Sequence, residues 1–162
     1  MRHALAFIAA GVVGWPALVA AGGQPEAAFG GHKETIVTGT LTTTVIPCES
    51  LCTESDWDGP LEGNSRFTLI SIEDAQVPNA NISRFHGNLV LSTPRGDLIG
   101  EDHGIWDLDN GKYVDVYTVT SGTGDYAGAT AVILLFGTLD PVTGQGLSEY
   151  RGVVTTRHHN HR

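Results

Sequence analysis

The stretch Val119 to Gly152, VTSGTGDYAGATAVILLFGTLDPVTGQGLSEYRG, decides the fold. It holds a glycine-rich turn, an apolar run, a second turn and an alternating segment. Apolar and β-branched residues bounded by Gly, Asp and Pro clusters are what a strand–turn–strand unit requires. Ala131-Val132-Ile133-Leu134-Leu135-Phe136 is apolar at every position, so neither face of that strand is suited to water.

Working outward, further strands come at regular spacing. Glu34–Ile46 is almost wholly β-branched, with Gly39 marking a bend, and reads as a first strand. Residues 47–64 read as a loop rich in acid, Gly and Pro, in which Trp57 can cover one end of the core. Strands follow over 66–72, 84–92, 97–106, 113–120, 129–139 and 146–156. Between them stand turn signals such as Thr93-Pro94-Arg95-Gly96 and Asp109-Asn110-Gly111. This makes seven or eight antiparallel strands without helical periodicity, an all-β sandwich or closed barrel. The chain has 162 residues, 21 of them Gly, which suits one domain of strands and tight turns.

The N-terminus reads differently. Arg2 and His3 precede an uncharged apolar run, and Val19 and Ala21 are small residues placed for cleavage before Gly22. Residues 1–21 are therefore expected to be a signal peptide, 22–33 a flexible leader, 34–156 the barrel domain and 157–162 a polar tail. A secreted protein, extracellular or periplasmic, is expected, with no membrane association after cleavage. Cys48 and Cys52 fit an oxidising compartment, where they would form a disulfide. The formal net charge of −9 disfavours nucleic acid as a partner.

Thr120 to Ala129, TSGTGDYAGA, resembles the allene oxide cyclase and dirigent-protein barrel superfamily. In it a strand ends in a GGTG- or GGSG-like turn followed by an aromatic residue, a small residue and another strand. The flanking YVDVYTV and GTLD segments are similar to secreted bacterial relatives, and the resemblance spans roughly Tyr113 to Val153. It implies a single antiparallel eight-stranded (calycin-like) β-barrel with an apolar central cavity, often trimeric. It also implies a protein that binds a small apolar molecule and can steer its cyclisation or coupling. The alternatives are a cyclase or isomerase using a buried carboxylate, and a non-catalytic structural or interaction barrel with a packed interior.

Two constellations are candidates for chemistry. Asp115 is flanked at i±2 by Tyr113 and Tyr117; a carboxylate between two phenols inside an apolar barrel would have a raised pKa and could act on a proton, whereas on an outward face it is a surface acid. On neighbouring strands, His86 and Asn88 share a face with Glu101 and His103 if the intervening turn closes with two or four residues. Two imidazoles and a carboxylate could bind a metal or serve as acid and base. If Leu89 and Leu91 point inward, that polar set faces solvent instead. Asp115, Glu101 and Tyr117 are the catalytic candidates, and Tyr113, His86, Asn88 and His103 the ligand-binding ones. No metal and no cofactor is expected. The doubly apolar strand points to a homo-oligomer, dimer or trimer.

Overall fold

The computed structural model describes residues 31–157. Eight strands run in chain order: β1 (His32–Ile46), β2 (Cys52–Asp58), β3 (Gly63–Asp74), β4 (Ile82–Thr93), β5 (Gly96–Asp107), β6 (Lys112–Gly122), β7 (Thr130–Leu139) and β8 (Gln145–Arg157). Each pairs antiparallel with its neighbours, and β8 returns to β1, so the sheet closes into a barrel. Closure leaves no edge strand exposed to pair with another chain. The all-β eight-stranded barrel expected from the sequence is the fold found. The expected signal peptide, most of the leader and most of the polar tail lie outside the described residues.

The sequence reading misses one strand. Residues 52–58 were expected in a loop, yet they form β2, paired from Cys52 opposite Ile46 to Asp58 opposite Thr40. Its inward residues are Thr53, Ser55 and Trp57, all buried. With hydroxyls in two of three inward places, no hydrophobic alternation marks the segment as a strand. Those hydroxyls are satisfied across strands: Thr43 and Ser55 share a hydrogen bond, and the Trp57 indole N–H donates to Ser65 Oγ.

The two ends of the barrel differ. At the end bearing the β2–β3, β4–β5 and β6–β7 connections, the glycine-rich turn folds under the β4–β5 hairpin. The Asp125 amide donates to the Arg95 carbonyl at 2.8 Å, and the Arg95 guanidinium lies over the Tyr126 ring. Gly124 and Gly128 have φ of 56° and 71°, which β-carbon-bearing residues adopt only with strain. Tyr126 thereby turns inward and packs with Leu91, Leu98, Tyr117, Trp57, Leu61 and Tyr150, filling this end. At the opposite end Cys48 and Cys52 form a disulfide with Cα atoms 6.0 Å apart, holding the β1–β2 loop. Here the interior is not filled.

Candidate functional site

The unfilled end holds a cavity of about 70 Å³ whose lining comes from seven of the eight strands and the β1–β2 loop. Leu51, Leu69, Ile72, Phe85 and Leu139 form its apolar wall, while Thr43, Thr53, Ser55 and Ser65 add hydroxyls. Ile72 is 43% exposed, so the cavity reaches the surface at that residue. The volume accommodates a few waters or one end of a small molecule; pockets that enclose a drug-sized ligand are several times larger, from about 300 Å³. The interior is thus a small, mostly apolar cavity with a few hydroxyls and two carboxylates in its wall.

Two carboxylates stand in this cavity, Asp102 on β5 and Asp115 on β6, only 4% and 3% exposed. Strand alternation explains both. On β5 the inward set is Leu98, Gly100, Asp102, Gly104 and Trp106; on β6 it is Tyr113, Asp115, Tyr117 and Val119. Asp115 lies opposite Gly104, and Asp102 opposite Tyr117, so the two acids are diagonal neighbours. A β-carbon at Gly104 would sit 2.5 Å from both Asp115 Cβ and the Phe85 ring; the glycine is what lets Asp115 occupy the interior.

Burial sets the electrostatics. Loss of hydration pushes the Asp102 carboxyl up to about 7, with His103 partly opposing the shift. Asp115 is raised well above the usual carboxylate range, first by burial and then by the nearby Asp102 charge. One oxygen of each acid, together with the Trp106 indole nitrogen, is buried without a hydrogen-bond partner. Three unsatisfied polar atoms around one cavity are unusual in a native interior. The Tyr113 phenol, also a lining group, is raised by burial and by Asp115, and its hydroxyl is shared with Ser148 Oγ.

The sequence candidates separate into two places. Asp115 and Tyr113 line the cavity. Tyr117 is also inward but lies at the filled end, where its hydroxyl donates to the Leu98 carbonyl at 2.6 Å. His86, Asn88, Glu101 and His103 all come together on the outer face. The Pro94-Arg95 turn closes with two residues, which sets His86 opposite His103 and Asn88 opposite Glu101 while Leu89 and Leu91 point inward. Asp102 was missed because its neighbours Glu101 and His103 drew the reading to the other face. The signal was present: Leu98 and Trp106, in phase with Asp102 and separated by glycines, mark the inward register.

The chain is similar to the pterocarpan synthase dirigent protein GePTS1, with TM-score 0.37 and 10% identity over 81% of this chain and 89% of that one. No family model and no curated protein matches the chain.

Proposed function

We propose that the barrel binds a small neutral molecule, apolar except for one oxygen, end-on in the cavity and moves a proton on it. The observation that carries this is the pair of buried carboxylates, Asp102 and Asp115, which line the same cavity as Trp106, each acid keeping one buried oxygen and Trp106 its indole nitrogen without a hydrogen-bond partner. A carbonyl oxygen entering there would accept from Trp106 Nε1–H and from the protonated Asp115. Asp102, ionising near neutrality, is then the group able to take a proton from the adjacent carbon. Protonation at oxygen with removal of a carbon-bound proton is enolisation, the elementary step of an isomerase or cyclase.

A solvent-exchange measurement tests this. In D2O near pH 7, deuterium incorporation next to the carbonyl of small ketones, such as cyclohexanone and short methyl ketones, should run faster with the protein than in buffer. It should drop to the buffer rate in Asp102→Asn. If no ketone shifts the carboxyl ¹³C resonances of either acid, the cavity does not bind such molecules and the barrel is a scaffold.

Two further readings rest on separate observations. Self-association is supported by the outer face of β6–β8, where Val114, Val132, Leu134, Phe136 and Val153 are exposed side by side across paired strands. Export is supported by the apolar N-terminal sequence and by the Cys48–Cys52 disulfide. No helix among the described residues is long and apolar enough to cross a membrane. N-terminal sequencing of the protein recovered outside the cytoplasm, beginning at Gly22, would establish the cleavage.

A further inference from the structure

The outer face of β4 and β5 carries a side-chain cluster that the cavity chemistry does not use. His86 and His103 face each other across the strand pair with their rings stacked, centroids 4.1 Å apart and planes within 6°. Glu101, two residues before His103 on the same strand and therefore on the same face, places Oε2 3.5 Å from His86 Nε2 and 3.3 Å from His103 Nε2. One ligand atom from each of the three residues lies within 4.8 Å of the other two. His86 Nε2 is buried and makes no hydrogen bond, although the side chain as a whole is 28% exposed.

We propose that His86, Glu101 and His103 form a surface binding site for a divalent transition ion, zinc or copper by the chemistry of the donors. Two imidazole nitrogens and one carboxylate oxygen match ions of borderline softness, whereas calcium and magnesium prefer an all-oxygen set. Metal–nitrogen bonds of about 2.0–2.1 Å in a tetrahedral site put two donor nitrogens about 3.3 Å apart. To reach that geometry the two imidazoles must turn out of their parallel stack; His103 is exposed and His86 partly exposed, which leaves both rings solvent-side room to turn. The strand pair supplies the rigidity: the His86–His103 register is fixed by twelve paired positions from Ile82 opposite Asp107 to Thr93 opposite Gly96. Three protein ligands leave at least one position open to solvent. The neighbouring groove, lined by Ser71, Glu73 and Arg84, gives that position room for water or a second ligand.

The test must separate this site from the tail, where His158, His159 and His161 are themselves potential chelators. The starting protein therefore carries His158→Ser, His159→Ser and His161→Ser. Calorimetric titration with zinc chloride should saturate at one ion per chain, and cobalt(II) should develop visible d–d absorption from nitrogen and oxygen ligation. Adding His103→Asn should weaken zinc at least tenfold, since even outer-shell partners of a metal cost 10–100-fold when changed. Glu101→Gln should weaken it too, with the far-ultraviolet circular dichroism of the barrel unchanged in both. The proposal is overturned if the tail-substituted protein takes up no zinc, or if the His86→Asn, His103→Asn double variant binds as tightly as its parent. His103→Asn keeps the experiment decisive, because His103 is an exposed outer-face residue whose loss leaves the core intact.

Discussion

Asp102 and Asp115 sit diagonally across Gly104 inside the barrel, two acids in a space that hydrates neither fully. Their raised carboxyls give the fold a definite pH dependence. In the unfolded chain each ionises near 3.8, whereas burial in the folded protein raises Asp102 to about 7 and holds Asp115 well above the usual carboxylate range. Between these values the folded state binds more protons than the unfolded one, so stability falls as pH rises. It is fully present below about pH 4 and, as regards Asp102, lost as pH passes through about 7. The melting temperature should be several degrees lower at pH 8 than at pH 5, and Asp102→Asn should flatten that slope. A melting temperature that rises over this interval would contradict the burial of these acids.

Gly104 should tolerate no side chain. The Gly104→Ala methyl would meet Asp115 Cβ, which is fixed to the backbone, and the tip of the Phe85 ring, both at 2.5 Å. We expect a loss of about 1–3 kcal/mol in urea unfolding, the usual cost of overpacking. The raised carboxyl of Asp115 should shift as well, visible in its ¹³C titration.

At the filled end, the Tyr150 hydroxyl donates to the Asp58 carbonyl at 3.0 Å and accepts from the Leu61 amide at 3.3 Å. Tyr150→Phe leaves both backbone groups without that partner while preserving the ring stacked near Trp57. Loss of about 1–3 kcal/mol should follow, with the cavity end unaffected.

The Cys48–Cys52 disulfide closes a short loop, for which chain entropy gives about 2 kcal/mol. Cys48→Ser with Cys52→Ser should lower the unfolding free energy by about that amount and leave the barrel closed. Amide exchange should quicken in the β1–β2 loop first, because the bridge touches the open end alone.

Leu134 stands at the centre of the exposed apolar face, opposite Val116 and Arg151 on its two neighbouring strands. If a second copy covers this face, Leu134→Glu should reduce the mass measured by light scattering to that of one chain. The variant should fold as well as its parent, because Leu134 points away from the barrel interior. A parent protein that already scatters as a single chain would remove self-association.

Much of the barrel is legible in the chain. Gly122, Gly124 and Gly128 announce the turn, and seven strands announce themselves by β-branched runs between turn residues. The site is less legible, because alternation sorts residues into two sets without saying which set faces in. For Asp115 the flanking tyrosines fit an interior place and an outward face alike. For Glu101 and His103, phase with Ile99 and Ile105 does not settle the face, whereas Leu89 and Leu91 on the paired strand point to the outer one, where the two residues lie. Outer positions of this barrel carry isoleucine freely, Ile105 being 46% exposed.

By itself, then, the sequence determined that the chain folds into antiparallel strands and where most of them turn. Those properties are local: β-branching, glycine at positive φ and a two-residue turn act over a few residues. Only the tertiary structure decided that residues 52–58 complete the barrel as a strand, that Asp102 joins Asp115 in a cavity, and that His86, Glu101 and His103 meet outside. Each depends on closing β8 against β1, which assigns an inner and an outer face to all eight strands at once. No single segment carries that assignment.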